Sequence, residues 1–280
     1  MTDLALPAAR PLRAPVLWLG GVLAALAVAA VVAAPTWLPA GDEIDIPHRF
    51  LGPSAAHWLG TDHFGRDVAA RIAAGLRISL AVAAMAVSVG LAGGTTLGLT
   101  AAAVGGALDR WLMRGADFVF AFPTVLIAVL IAASVGPGMA TSVLAIGIFF
   151  VPVFARLARA TATVAWSQEY VRAARATGKS LGRITLDHVV PNIAGVLVVQ
   201  AATSFGVAVL AEAALSYLGL GTQPPDASLG RMLFEERTFL TLAPHLAIYP
   251  GIALALTVLG ANLIGDGLRA RLDPRRSTNL

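Results

Sequence analysis

The chain has 280 residues, of which 57% are hydrophobic and 13% charged, and its mean hydropathy is +0.77. Soluble domains carry about 25% charged residues, so this composition excludes an ordinary soluble fold and points to a protein built into a membrane. No cysteine is present, which removes disulfides and thiolate metal sites, and the net charge of +4 reads as topology signals at membrane edges rather than nucleic-acid binding.

A helix needs about 20 apolar residues to span a bilayer. Six stretches qualify: Val16–Leu38, Ile78–Val104, Phe118–Val135, Met139–Ala155, Val189–Leu210 and Leu246–Ile264. The first is longer than the apolar region of a secretory signal and reads as a retained helix. The third and fourth meet at Gly136-Pro137-Gly138, a tight turn by composition. Gly90, Gly94 and Gly98 on the second span, and Gly195 and Ser204 on the fifth, have the spacing that lets helices approach closely in lipid. Pro123, Pro152 and Pro250 are expected to kink or break their helices.

Basic residues set the orientation. One set of alternate loops holds Arg10, Arg13, Arg110, Arg114, Arg156, Arg159, Arg172, Arg175, Lys179, Arg183, Arg269, Arg271, Arg275 and Arg276, fourteen in all. The other holds six: Arg49, Arg66, Arg71, Arg77, Arg231 and Arg237. The bias puts both termini in the cytoplasm. The expected layout is a cytoplasmic tail over residues 1–15, a membrane helix over 16–38 and an extracytoplasmic loop over 39–77. A five-helix core over 78–265 follows, with a cytoplasmic loop at 166–188, and then a cytoplasmic tail over 266–280.

The six stretches as drawn contain no Asp, Glu, Lys, Arg or His well inside them; Gln200 and Asn262 are the amides at depth. Transporters coupled to protons or ions generally need such groups within the membrane. The energy for any transport is therefore expected from outside this chain. A membrane enzyme would need a catalytic dyad at depth, and none is visible.

The loop between the fourth and fifth spans is too polar to enter a bilayer. Residues 169–184 read EYVRAARATGKSLGRI, followed by Val190, Pro191 and Asn192. At 100° per residue, Tyr170, Ala173, Ala174 and Thr177 share one face of a short helix, while Glu169, Arg172, Arg175 and Lys179 lie opposite. Ser167 is placed to cap its start, and Gly178 to end it with a positive φ. Such a helix either rests on anionic headgroups or docks into a groove on a cytoplasmic partner, with Ser180 at the edge of the contact. Thr177–Ser180 (TGKS) imitates the end of a phosphate-binding loop, but Ala173 stands where the first glycine must be, and a helix precedes it instead of a strand.

Residues Arg172, Ala173, Ala174, Gly178, Ile184 and Pro191 resemble the coupling loop, or EAA loop, of permease subunits of bacterial ATP-binding-cassette importers. The chain departs from that pattern at Arg172, where a glutamate often stands. Further stretches resemble the second permease of the peptide/nickel family, dipeptide and oligopeptide type. They are HWLGTDHFGRDV at His57–Val68, continuing through Arg71, Gly75 and Arg77 to Ser79 and Leu80; Asp117 with Phe122 and Pro123; EAALSYLGLGTQPP at Glu212–Pro225; and Gly265–Arg269 with Leu272–Arg275. The resemblance implies an all-α membrane subunit of six transmembrane helices with a cytoplasmic coupling helix, holding no cofactor and no catalytic site. It implies partners: a second homologous permease, two ATPase subunits, an extracytoplasmic solute-binding protein and the lipid bilayer, with no nucleic acid. Tyr170, Arg172, Ala173, Ala174, Arg175, Thr177, Gly178, Lys179 and Ser180 would contact the ATPase. The cargo implied is a di- or oligopeptide, with nickel or metal chelates or glutathione as alternatives; a secondary transporter independent of an ATPase is the reading from another class.

Outside the membrane, His57, Asp62, His63 and Asp67 cluster in sequence, but the glycines and the Asp62–Arg66 spacing favour a shaped, ion-paired loop over a metal site. Gly219–Pro225 reads as a rigid, non-helical outer turn, and Phe234–Arg237 as a solvated stretch before the last helix.

Overall fold

The structure is a computed structural model, and it describes residues 41–272; the expected N-terminal tail, the first span at 16–38 and residues 273–280 of the expected C-terminal tail lie outside the described residues, while 266–272 continue the last helix. The described chain is helical, with a single isolated bridge between Thr61 and Asp67 as its only extended pairing. Its helices are α1 (Val68–Val104), α2 (Gly106–Phe120), α3 (Thr124–Val135), α4 (Met139–Trp166), α5 (Glu169–Ala176), α6 (Leu181–Ile184), α7 (Val190–Tyr217), α8 (Leu229–Glu236) and α9 (His245–Leu272). A π turn over Thr185–Val189 joins α6 to α7.

Among the described residues, four stretches are long and apolar enough to cross a membrane: Val68–Val104, Met139–Trp166, Leu181–Tyr217 and His245–Ala270. The pair α2 and α3 makes a fifth if counted as one span, although its two halves meet at 86°. This corrects the third expected span. Pro123 has no N–H to continue α2 and occupies the cap position of α3, so the apolar run from Phe118 breaks instead of forming one column. The other spans continue past their apolar runs. The helix expected from Ile78 begins ten residues earlier at Val68, where Asp67 caps it by accepting from Ala70 N at 2.8 Å.

The core is the contact of α1 with α4. The two helices run in the same direction, and glycines bring them together. A methyl on Gly94 would lie 2.6 Å from Phe154 Cβ; one on Gly98 would lie 2.8 Å from Ala158 Cβ, and one on Gly147 of α4 2.9 Å from Val89 Cγ1. Glycine is required here because backbones approach too closely for any side chain. Val82, Ala86, Ile146, Phe150 and Phe154 fill the seam and are buried. On α7, Gly206 leaves room for the Asn262 side chain of α9, whose Oδ1 would lie 2.7 Å from an added methyl, whereas Gly195 faces open space.

Candidate coupling site

Helix α5 is set off from α4 by two residues. Gln168, extended at φ −71° and ψ 148°, is its cap position; Ser167 instead closes α4 and donates its hydroxyl to Val164 O at 2.8 Å, so the expected serine cap is not formed. Glu169 in the first turn and Arg175 in the last both suit the helix dipole. Gly178 has φ +80° with nothing near its missing side chain, so glycine is needed there for the backbone and not for space. Ser180 then caps α6 by accepting from Arg183 N.

The helix is fixed to the bundle by Val171, which is fully buried; Ile184 and Val189 in the neighbouring turn are buried as well. Sequence reasoning placed Val171 on neither face. Its burial turns Ala174 partly inward and leaves Ala173, Ala176, Thr177 and Gly178 exposed, so only part of the expected small-residue face looks outward. Tyr170 leans on α7: its hydroxyl pairs with Asn192 Nδ2, and its ring meets His188 edge-on. Arg175 lies over the Trp166 ring, while Lys179 reaches Asp187 at 3.7 Å and His188 Nε2 at 3.3 Å. Arg172 is exposed. Tyr170, Arg172, Ala173, Ala174, Arg175, Thr177, Gly178, Lys179 and Ser180 thus form one knob, with Ala173, Thr177 and Gly178 facing out. The TGKS segment follows a helix, so its local fold is not that of a phosphate loop.

Two polar centres organise the other end of the bundle. The first is Glu235 on α8. It accepts from Arg66 Nη2 and Arg71 Nη2, both at 3.0 Å, and from Arg231 Nε at 3.0 Å. Burial by itself would raise its pKa. The guanidiniums of Arg71, Arg231 and Arg66 outweigh that effect and hold the carboxyl below the usual glutamate range. Glu236 Oε1 accepts from His63 Nδ1 at 2.8 Å, and Glu236 is itself buried. Glu235 and Glu236 therefore form a clamp, and of the 234–237 stretch only Arg237 is exposed. Of the four candidate ligands of the outer loop, His57 pairs with Asp67 at 2.9 Å, His63 with Glu236, and Asp62 with Arg66. Asp62, His63 and Glu236 do bring ligand atoms within 4.8 Å of one another. Asp62, however, accepts from Arg66 Nε and from the Phe64 and Arg66 amides, and the guanidinium charge opposes a cation there.

The second centre is Glu212, which sequence reasoning left just beyond the fifth span. Helix α7 runs on to Tyr217 and carries Glu212 in, fully buried. It accepts from Ser79 Oγ and Ser216 Oγ, both at 2.6 Å. Ser79 in turn accepts from Leu229 N at the start of α8, and Ser216 from Thr222 N in the outer turn. One carboxylate so ties α1, α7, the 219–225 turn and α8 together. That turn is non-helical, as its sequence indicates, and contains a cis peptide at Pro224–Pro225.

Residues 94–278 match the model of the family described as binding-protein-dependent transport system inner membrane component. The chain belongs to this family. Curated relatives agree. The chain is 45% identical over 83% of its length to the dipeptide transport system permease protein DppC of Alkalihalophilus pseudofirmus, covering 77% of that protein. It is 46% identical over 80% of its length to the glutathione transport system permease protein GsiD of Pectobacterium atrosepticum, covering 74% of it, and 42% identical over the same share to GsiD of Escherichia coli strains. The chain is thus a multi-pass permease component of an ATP-binding-cassette importer, seated in the inner membrane.

Proposed function

We propose that this permease imports di- or oligopeptides and takes its energy from separate ATPase subunits that grip α5. The observation that carries the reading is the exposed Ala173–Gly178 side of a helix whose Val171 is locked into the bundle. A push on such a knob is transmitted to α4 and α7 and not absorbed by a loose loop. The similarity to a dipeptide permease supports the cargo. The comparable similarity to glutathione permeases supports a second reading, in which the cargo is glutathione, itself a small peptide. Nickel or metal chelates remain the third cargo class.

The assembly in this reading contains a second homologous permease, two ATPase subunits and an extracytoplasmic solute-binding protein. Both termini are cytoplasmic, as the fourteen-to-six bias of basic residues supports. Catalysis of ATP hydrolysis resides in the partners.

Uptake of labelled dialanine into proteoliposomes holding the complete complex and enclosed ATP tests this. Uptake that continues after a protonophore collapses the proton gradient, and that excess unlabelled dipeptide blocks, is expected. Competition by glutathione but not by dipeptides moves the assignment to the second reading; loss of uptake with the gradient at constant ATP overturns ATP coupling.

A further inference from the structure

We infer that α2 is not part of a membrane-crossing column but lies in the plane of the cytoplasmic leaflet, with Arg110 and Arg114 on anionic phospholipid headgroups. This goes beyond the transport reading, which assigns α2 nothing.

Three observations carry it. The first is direction: α2 and α3 meet at 86°, so if α3 stands near the bilayer normal, α2 lies near the plane. The second is depth. Helix α4 rises 1.5 Å per residue, so Arg159 lies about 30 Å along it from Met139, close to the thickness of a hydrocarbon core. Asp109 of α2 pairs with that Arg159, and Asp117 with Arg156 at 3.0 Å. The acids are eight residues apart on α2 yet meet arginines three apart on α4, so α2 runs across α4 and not along it. Both of its ends stay near the boundary level.

The third is the distribution of side chains around α2. Ala116 is buried and Asp109 half-buried toward the bundle. Next round the helix comes an apolar arc of about 120° with Leu108, Trp111 and Phe118. Trp111 and Phe118 are 70% and 67% exposed. Arg110 and Arg114 follow on the far flank, both exposed, and Arg114 lies over the Trp111 ring. Because α4 neutralises both acids, α2 is left with two positive charges beside an exposed aromatic stripe. That is the pattern of a helix floating at an interface, apolar side in the acyl region and basic flank among headgroups. The cytoplasmic leaflet supplies the opposite charge.

The cysteine-free chain allows a direct test. Nitroxides are attached at Leu108→Cys, Trp111→Cys, Gly115→Cys and Phe118→Cys in the full complex in nanodiscs, which expose both leaflets, so the result does not depend on the assigned topology or cargo. Collision with oxygen and with a water-soluble nickel reagent should report one shallow depth for all four, their ratio varying less than about twofold. A steady depth gradient along the series, of about 15 Å over ten residues, would mean that α2 crosses the membrane, and shielding from both reagents would mean that protein covers it; either overturns the inference. In discs with phosphatidylglycerol, the Arg110→Gln/Arg114→Gln double variant with the same depth profile should retain several-fold less of that lipid by native mass spectrometry. Equal retention would refute the headgroup contact.

Discussion

Ser79 of α1 donates its hydroxyl to Glu212 of α7 at 2.6 Å, joining residues 133 apart in sequence at a fully buried carboxylate. Ser216 makes an equal bond to the other oxygen, and behind the two serines stand the amides of Leu229 and Thr222. Each serine links a backbone amide to a Glu212 oxygen, so the polar atoms of this fully buried side chain are satisfied. Glu212→Ala leaves these donors without an acceptor and should cost about 1–3 kcal/mol for each buried hydroxyl left unsatisfied. The expected readout is a lowered melting temperature of the detergent-solubilised complex, with faster proteolysis at Arg231. Glu212→Gln, which keeps two acceptor positions on one oxygen, should fall between the variant and the parent.

The α1–α4 seam leads to a different expectation. Gly94→Leu or Gly98→Leu forces apart backbones that leave no room for a methyl, at a cost of about 1–3 kcal/mol or more. Gly195→Leu, where nothing lies within 4 Å, should be tolerated by the isolated chain. Yield of folded, monodisperse protein separates the two cases; equal yields would contradict the packing described.

The Glu235 clamp should depend on pH. Its carboxyl titrates below the ordinary glutamate range in the folded protein, so its stabilising effect is complete above that range and is lost as pH falls through the lowered folded value. The protection of amides in the 41–67 loop and α8 against hydrogen exchange, corrected for the intrinsic pH dependence of amide exchange, should therefore be flat from pH 8 to about 5 and fall only in more acidic buffer. Glu235→Gln should remove the acid dependence and raise exchange at neutral pH.

At the coupling knob the two small residues act through different physics. Gly178→Ala places a side chain at φ +80° and should cost about 1–2 kcal/mol locally while uptake is reduced and not abolished. Ala173→Glu adds a charge on an exposed position, so the chain should insert normally yet lose ATPase recovery and uptake at least tenfold. Ala174→Glu is a poorer probe, because Ala174 is partly buried against the bundle itself.

Much of this was legible in the sequence, for reasons that are local. Apolar runs located the helices, and the order of helix, glycine and basic turn at 169–180 located the knob. The third span misled because Phe118–Phe122 is as apolar as a membrane core, so hydropathy joined it to α3; the helical spacing of Leu108, Trp111 and Leu112 and the stop at Pro123 were the signals against it. Glu212 fell outside a span drawn by hydropathy, although the helix has no reason to end before the turn at Gly219. The Glu235 clamp joins side chains as much as 169 residues apart, and no local pattern announces such a pair beyond the Arg231–Glu235 spacing. Val171 is one valine in a polar helix, and only the packing reveals that it orients the rest.

In the proposed mechanism, the outward side of α5 is the contact through which an ATPase drives this permease. Cross-linking tests it most directly. Ala173→Cys provides the chain's sole thiol, and a short bifunctional reagent should join it to an ATPase subunit in the assembled complex, while buried Val171→Cys does not react. A residue 173 thiol that stays open to bulky water-soluble reagents in the complex, and forms no cross-link, would contradict it.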